Sequence, residues 1–321
     1  MSVSFKNQLL QQLPWIQLIS VIGLLVLLRH LIGLTRWVSV TFLRPSKDLR
    51  SRYGSWAIVT GCTDGIGRAF AFKLAQMGLN LVLVSRSRDK LERLSDELRA
   101  VNEHLQVRIL ALDFDGDISD GVREMEEMAK DLDVGVLINN VGVTYPAARF
   151  FHEVDDELWR SIVRVNVEGT VRVTRAVLPA MFRRGRGAVI NLGTGGAVVA
   201  PSIPLSAMYS ATKAFVDQFS RSLHVEYKNH GIDVQCQIPL YVATKMASMV
   251  VNINKPSLFV PSPENYAEAA IRRIGYEARC MPYWSHSVQW FFARLAPEGF
   301  LDSWSLKRGI KRRARSPPLN E

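Results

Sequence analysis

Tyr209 and Lys213 have the spacing and the side-chain types for proton transfer to a carbonyl or from an alcohol. Residues four apart on a helix lie on the same face, so the phenol and the ammonium group would be neighbours. Because a nearby cation favours the phenolate, we expect Lys213 to lower the pKa of Tyr209 from about 10. Such a phenol can act as a general acid or base. Since Tyr and Lys occur at this spacing by chance in many helices, the pair needs supporting context.

A glycine-rich run earlier in the chain supplies that context: Thr60-Gly61-Cys62-Thr63-Asp64-Gly65-Ile66-Gly67. An apolar, strand-like run at residues 56–60 precedes the glycines, and a helix-like run at residues 68–75 follows them. In a phosphate-binding turn the glycines let the backbone approach the ligand, and the helix N-terminus faces the pyrophosphate. The two motifs together predict hydride transfer with a dinucleotide.

Short apolar runs alternate with helical stretches between Trp56 and about Pro239. Helical periodicity is clear over Arg88–Asn102 and Glu157–Arg184. This alternation predicts one α/β domain with a doubly wound parallel sheet, whose ligands bind at the carboxyl ends of the strands. The predicted strands are Ala57–Thr60, Asn80–Ser85, Gln106–Leu112, Val134–Asn139, Gly187–Leu192 and Ile232–Gln237.

The end of the second predicted strand bears on cofactor choice. An acid at this point would bind the 2′-hydroxyl of NADH, but the run here is Val84-Ser85-Arg86-Ser87-Arg88. Arginine pairs well with a 2′-phosphate, so we predict NADPH. The alternative is a solvated, basic start of a helix.

The motifs occur in the order of one enzyme family. The chain also has an Asn-Asn-x-Gly run at residues 139–142 and the helix asparagine Asn166. Over residues 53–245 it therefore resembles the classical short-chain dehydrogenase/reductase family. Runs at residues 209–220, 223–227 and 235–246 are similar to those of membrane-bound very-long-chain 3-oxoacyl-CoA reductases, most of all plant members, and this likeness extends over nearly the whole chain.

The resemblance implies a Rossmann fold and the reduction of 3-oxoacyl-CoA with NADPH, the second step of fatty-acid elongation at the endoplasmic reticulum. Tyr209 would protonate the oxygen, Lys213 would hold the nicotinamide ribose, and Asn166 would position a water linking Lys213 to solvent. The cofactor-binding residues implied are Gly61, Thr63, Asp64, Gly65, Ile66, Gly67, Ser85, Arg86, Asp113, Asn140, Tyr209, Lys213, Val242 and Thr244.

The residue that polarises the carbonyl departs from the family pattern. The family has a serine there, and its usual spacing from the tyrosine reaches Gly196 in this chain. Alignment on the neighbouring asparagine and glycines instead puts Thr194 in the serine's place, as the fourth catalytic residue. Threonine keeps the hydroxyl but adds a methyl group and a stiffer χ1. We expect activity, at a lower rate if the hydroxyl is displaced.

Positive charge is concentrated at the two ends of the chain. The net charge is +10; residues 1–56 have seven Lys or Arg and one Asp, and residues 307–321 have six Lys or Arg and one Glu. The rest of the chain is therefore close to neutral. A nucleic-acid binder would have basic residues along a folded face, whereas basic ends suit a membrane surface.

An apolar run at the N-terminus predicts a membrane anchor. The 22 residues between Lys6 and Arg29 have no charge, and about 20 residues span a bilayer. A signal peptide and a core helix are the alternatives, but Arg29-His30 stands where a cleavage site would be expected. We predict an anchor and basic segment over residues 1–52, as a single span or, with residues 31–43, a hairpin. Six basic residues follow the span, which places the catalytic domain in the cytosol.

The C-terminal third is rich in aromatic residues and completes a predicted reductase domain at residues 53–306, followed by a basic tail at 307–321. It could form an apolar acyl channel that opens towards the bilayer, or ordinary core packing. Arg272, Arg273 and Arg279 could meet CoA phosphates, although helix-surface charge is the simpler interpretation. The tail could contact anionic lipid or be solvated. The aromatic residues considered for the channel mouth are Phe259, Trp284, Trp290, Phe291, Phe292 and Trp304.

Three functions follow from these observations: the elongase reductase, a hydroxysteroid dehydrogenase, and a catalytically weak paralogue that binds the elongase as a structural subunit. The expected partners are acyl-CoA, membrane lipid and other elongase subunits, with a homo-oligomer possible and no nucleic acid. Three cysteines without metal-ligand spacing suggest reduced thiols, and the scattered histidines give no metal site.

Overall fold

The computed structural model describes residues 3–251, 253 and 255–315, with side chains described from Pro14 onwards. Contacts divide the chain into two units, one ending at Pro45 and one beginning at Ser46. This division lies a few residues before the boundary expected at residues 52 and 53.

The first unit is helical. Helix α1 (Val3–Val38) continues into a π-helical turn at Ser39–Leu43. Pro14–Leu43 has 30 residues and contains an 18-residue stretch with a mean hydropathy of 2.1 and no buried residues, so by length and composition it can cross a membrane. The helix does not reverse between Val3 and Leu43, which favours the single span over the hairpin.

The second unit is built on a seven-stranded parallel sheet with the order β3-β2-β1-β4-β5-β6-β7. The six predicted strands are confirmed, with ends that differ by at most one residue, and the short β7 was not predicted. β1, β4 and β5 are buried along their whole length, as their continuous apolar runs require of a parallel sheet covered on both faces. The strands are β1 (Trp56–Thr60), β2 (Asn80–Ser85), β3 (Val107–Ala111), β4 (Val134–Asn139), β5 (Gly187–Leu192), β6 (Ile232–Gln237) and β7 (Arg279–Cys280).

Helices cover both faces of this sheet, as the doubly wound arrangement predicts. Alternate residues of a strand point to opposite faces, so Val59 packs with α2, α3, α4 and α11, and Ile58 packs with α5 and α7. All three cysteines are free and buried. The helices of this unit are α2 (Leu49–Tyr53), α3 (Gly65–Gln76), α4 (Arg88–Val101), α5 (Ser119–Asp131), α6 (Asp156–Val163), α7 (Gly169–Arg184), α8 (Gly195–Val198), α9 (Ala207–Tyr227), α10 (Lys245–Val251), α11 (Pro263–Ile271), α12 (Trp284–Ala293) and α13 (Glu298–Arg313).

Two helical features differ from a simple reading of the sequence. The predicted helix at 157–184 forms as α6 and α7, joined by a π-helical turn at Arg164–Glu168. α13 crosses residue 307 without a break, so basic residues expected in a separate tail belong, as far as Arg313, to the same helix as Trp304.

Candidate active site

The glycine turn after β1 is tight enough to require its glycines. Gly61 has a φ of +64°, a backbone conformation that favours glycine. A Cβ on Gly67 would lie 2.3 Å from the Gly61 carbonyl oxygen and 2.4 Å from Asn140 Nδ2. Asn140 Nδ2 donates to the carbonyl oxygens of Thr60 (3.1 Å) and Gly61 (3.0 Å). The Asn140 side chain, expected to touch the cofactor, therefore fixes the shape of the turn.

The turn leads into the N-terminus of α3, where backbone N–H groups favour an anion. Asp64 caps this helix: its Oδ1 accepts from Gly65 N (2.8 Å), and its Oδ2 pairs with Lys245 Nζ (2.9 Å). The segment after β6 covers the turn, because a Cβ on Gly65 would lie 3.2 Å from the Thr244 methyl carbon. Val242, also predicted to bind the cofactor, belongs to this segment and is buried.

Polar groups at the ends of β2 and β3 suit the adenosine ribose of a dinucleotide. The Ser85 and Thr63 hydroxyl oxygens are 3.1 Å apart. Arg86 is exposed and has no ion pair within the described part of the chain. Asp113 Oδ1 accepts from Asp115 N (3.1 Å). The hydroxyls, the free guanidinium and the helix N-terminus together fit a phosphorylated dinucleotide.

One cleft of about 790 Å³ runs from this turn, past the ends of β4, β5 and β6, to α13. Every predicted catalytic or cofactor residue lines it except Gly67 and Asn166. Gly67 and Asn166 do not line the cleft themselves. Gly67 packs against the glycine turn, and Asn166 holds the loop after β4.

Tyr209 and Thr194 meet inside the cleft. Thr194 follows β5 and Tyr209 lies in the first turn of α9, and both side chains line the cleft. Burial raises the pKa of Tyr209, the neighbouring Thr194 hydroxyl lowers it, and the nearby Tyr241 phenol raises it again. The pKa of Tyr209 is therefore raised, not lowered as expected, because removing the phenolate from water outweighs the effect of the Thr194 hydroxyl.

Lys213 is buried and held by the end of β5. Its Nζ donates to the Leu192 carbonyl oxygen (2.9 Å). Burial lowers the pKa of Lys213 to about 8, against an opposing effect of Cys236. A Cβ on Gly142 would lie 3.3 Å from Lys213 Nζ and 3.2 Å from Asn166 Oδ1, so this glycine lets the loop after β4 approach both side chains.

Asn166 lies in the π-helical turn between α6 and α7 and is fully buried. Its Oδ1 accepts from Val143 N (2.8 Å), and its Nδ2 donates to Val143 O (2.9 Å) and Thr212 Oγ1 (3.1 Å). The side chain thus ties the loop after β4 to α9, next to Lys213. π-Turns of this kind are often found at functional sites.

The substrate side of the cleft contains groups that sequence reasoning missed. Tyr241, after β6, lies close enough to Tyr209 to affect its pKa. His286 of α12 holds the Tyr241 segment: Leu240 N donates to Nδ1 (3.3 Å), and so Nε2 carries the proton that Tyr241 O accepts (3.1 Å). Burial lowers the pKa of His286 to about 4, which keeps the imidazole neutral. A buried histidine near a strand end has no sequence signature.

Most of the C-terminal residues considered for substrate binding lie outside the cleft. Arg279 pairs with Asp217 (2.9 Å), and buried Arg273 lies 3.9 Å from Glu277; neither they nor Arg272 line the cleft. Of the six aromatic residues considered for a channel mouth, Trp304 alone lines it. The cleft is instead closed by α13, through Trp304, Arg308 and Arg312 among others.

Residues 55–254 match the short chain dehydrogenase family. The chain belongs to this family. As a member of this family, it is an oxidoreductase that acts on a CH–OH/C=O pair.

Several known proteins are similar along most of the chain. A very-long-chain 3-oxoacyl-CoA reductase-like protein of Arabidopsis thaliana is 54% identical over 305 residues, covering 94% of this chain and 97% of the relative. An inactive hydroxysteroid dehydrogenase-like protein of Homo sapiens is 40% identical, covering 84% of this chain and 81% of the relative. A solved short-chain dehydrogenase from Sphingobium yanoikuyae in complex with NADPH is 27% identical with a TM-score of 0.64, covering 77% of this chain and 95% of that one.

Proposed function

We propose that this protein reduces very-long-chain 3-oxoacyl-CoA to 3-hydroxyacyl-CoA with NADPH. The observation that carries the proposal is a single cleft that joins the glycine turn to the Tyr209 phenol and the Thr194 hydroxyl. The name of the Arabidopsis relative, which matches over nearly the whole chain, supplies the substrate class.

Bound NADPH supplies the hydride. Tyr209 and Thr194 direct their hydroxyls at the ketone oxygen, where negative charge develops, and Tyr209 transfers its proton to that oxygen. The Lys213 ammonium, fixed by Leu192 O, holds the nicotinamide ribose. Asn166 keeps the loop after β4 against α9, and a water at its turn links Lys213 to solvent.

Selection of NADPH over NADH rests on Arg86 at the end of β2. Its guanidinium would pair with the 2′-phosphate, and the Ser85 and Thr63 hydroxyls, 3.1 Å apart, would add hydrogen bonds. The Sphingobium enzyme binds NADPH on the same fold, which supports this assignment.

We also propose that a membrane anchor holds the catalytic unit at the cytosolic face of the endoplasmic reticulum. Support comes from the apolar helix at Pro14–Leu43 and the basic residues that follow it. Membrane lipid, other fatty-acid elongase subunits and a second copy of this chain are the proposed partners.

A second candidate is a catalytically weak elongase partner. The human relative, 40% identical, is named as inactive, and Thr194 stands where the family has serine. Reduction of a steroid ketone is the remaining enzymatic alternative.

The test measures NADPH oxidation by detergent-solubilised protein with a long-chain 3-oxoacyl-CoA and, separately, a steroid ketone. We expect turnover of the acyl thioester, and a loss of roughly hundred- to ten-thousandfold in Tyr209→Phe, which lacks the proton donor. Faster steroid reduction would favour the dehydrogenase. NADPH binding without any turnover would favour the non-catalytic partner.

A further inference from the structure

We propose that an exposed apolar surface of the catalytic unit inserts into the interfacial layer of the lipid bilayer. The surface lies on α12, on the start of α13 and on a turn at residues 257–260. The proposal rests on the membrane anchor proposed above, and it names the part of the catalytic unit that meets lipid. We call this surface the membrane face; its residues are Leu258, Phe259, Phe291, Phe292, Leu295 and Phe300.

The membrane face brings several large apolar side chains to the surface together. All six are at least half exposed within the described part of the chain. Phe291 and Phe292 are adjacent on α12, with ring centroids 5.5 Å apart, and Leu295 follows the helix two residues after its end. A single exposed apolar residue is ordinary, whereas a group of large ones marks a site where another surface binds.

The turn at residues 257–260 places two of these side chains at its tip. Ser257 and Val260 exchange backbone hydrogen bonds, with N–O distances of 2.8 and 3.2 Å. Leu258 and Phe259 lie between the paired residues, and both are exposed. Gln289 Nε2 of α12 donates to Phe259 O (3.1 Å), which holds the turn against the helix. The turn and α12 thus form one surface.

Positive charge surrounds the membrane face, which favours lipid over another protein as the partner. Residues 284–315 contain seven Lys or Arg and two acidic residues. Arg294, Lys307 and Lys311 are exposed. Apolar and aromatic residues beside Lys and Arg are typical of helices that lie in the interface of an anionic bilayer. Lysine, in contrast, is depleted in protein–protein interfaces.

The short connection to the anchor keeps the bilayer near. Five residues separate Leu43, the end of the segment that can cross a membrane, from Leu49, the start of α2. Because five residues extend over at most roughly 20 Å, an anchored catalytic unit stays close to the bilayer surface. Lys47 Nζ lies 4.2 Å from the ring centroid of Tyr276, three residues before β7, and α12 begins four residues after β7. The connection therefore reaches the catalytic unit beside β7, the edge strand that α12 follows.

The membrane face adjoins the reaction cleft. Gln289 and Ala293 of α12 and Leu301 and Trp304 of α13 line the cleft, whereas none of the six residues of the membrane face does. The same two helices thus contribute to both surfaces. Lipid at the membrane face would lie next to the cleft, which suits the very long acyl chain of the proposed substrate.

The test places a fluorescent label on the membrane face of the full-length protein. Phe292→Cys is labelled with a thiol-reactive fluorophore, and the protein is reconstituted into vesicles of phosphatidylcholine and phosphatidylserine, with or without spin-labelled phosphatidylcholine. Labelling is selective because the three native cysteines are buried, and burial raises the pKa of Cys62 and Cys236 to about 12. We expect the spin-labelled lipid to quench most of the emission.

Two further labels are the controls. Val101→Cys has the same label at an exposed apolar residue at the end of α4, six residues before β3. β3 is the edge strand opposite β7, roughly 30 Å away across the sheet, so this label should be quenched little. Leu24→Cys lies in the anchor and should be quenched strongly. Binding of NADPH by each labelled protein checks that the catalytic unit is folded.

Quenching at Phe292→Cys that is no stronger than at Val101→Cys would overturn the membrane face. If that label instead shifts its emission to shorter wavelength as the protein concentration rises, without quenching by lipid, the surface binds a second copy of this chain and the proposal is wrong. Quenching at Phe292→Cys without quenching at Leu24→Cys would leave the membrane face standing and remove the anchor. The converse would leave the anchor standing and remove the membrane face.

Discussion

The two halves of the cleft are built in different ways. The cofactor half consists of turns at the ends of β1, β2 and β3, with Gly67 and Asn140 packed against backbone atoms. The substrate half is formed by α12 and α13, whose side chains His286 and Arg308 contact Tyr241. One half is shaped by the backbone, and the other by side chains from helices distant in the sequence.

This difference decides how each half responds to substitution. A single added methyl group distorts a turn whose backbone atoms are in close contact. The first property to change should be the affinity for the cofactor. In the substrate half, a substitution removes a single hydrogen bond or charge. Its effect should appear in the reaction rate, in the pH dependence or in the choice of substrate. Substitutions in the two halves should therefore be distinguishable by what they change.

Among the substitutions that compare the two halves, the largest effect is expected at Thr194, where the halves meet. Thr194→Ala removes the hydroxyl that neighbours Tyr209, so we expect kcat to fall roughly a hundred- to a thousandfold, as for other oxyanion donors. Thr194→Ser keeps the hydroxyl and should retain activity. Steady-state kinetics measure both, with NADPH affinity as the control, which should not change. Equal rates in Thr194→Ala and the original enzyme would show that the threonine is a bystander.

A slightly smaller effect, on the pH dependence of stability, is expected from the buried His286 in the substrate half. The unfolded imidazole titrates near 6.5, but burial lowers its pKa to about 4 in the folded state. Between these values the unfolded state binds a proton that the folded state does not. The free energy of unfolding should therefore fall by about 3 kcal/mol as the pH decreases from 6.5 to 4.

Chemical denaturation at several pH values, with His286→Gln for comparison, isolates this contribution. The glutamine variant should lose this part of the pH dependence. His104→Gln, at an exposed histidine far from the cleft, should keep it. Parallel pH profiles for His286→Gln and the original protein would contradict the assignment.

The same contrast explains what could be predicted from the sequence. The parallel strands and the glycine turn follow from local patterns, and the predicted strand ends are correct to within one residue. Thr194 was located by aligning a short strand-end run, and its hydroxyl indeed lies beside Tyr209. The π-turn around Asn166 has no such pattern, because it is imposed by the contacts of Asn166 with Val143 and Thr212.

The substrate half was predicted less well for a physical reason. Basic residues of α13 look the same in sequence whether they face solvent or a cleft, and only packing against Leu205 and Tyr145 decides between these positions. Likewise the raised pKa of Tyr209 depends on burial, which the spacing to Lys213 does not reveal. Long-range packing, rather than local propensity, determines both.

A moderate effect on cofactor affinity is expected when a methyl group is added to a glycine of the cofactor half. Gly67→Ala places a Cβ against the Gly61 carbonyl oxygen, and overpacking of this kind costs roughly 1–3 kcal/mol. We expect the NADPH dissociation constant to rise about tenfold, as measured by fluorescence titration. Gly299→Ala on α13 is the matched control, because no atom lies within 4 Å of its Cβ. Unchanged NADPH binding in Gly67→Ala would mean that the turn yields to accommodate the methyl group.

The smallest expected effect is at Arg86, which is exposed at the ribose end of the cofactor half. Exposed ion pairs contribute up to about 1 kcal/mol, so Arg86→Ala should weaken NADPH binding about fivefold, leave NADH binding unchanged, and matter less at high salt. Arg88→Ala is the control, since Arg88 pairs with Glu92 at 3.0 Å and does not line the cleft. Equal losses for NADPH and NADH would assign Arg86 to turn structure instead of phosphate recognition.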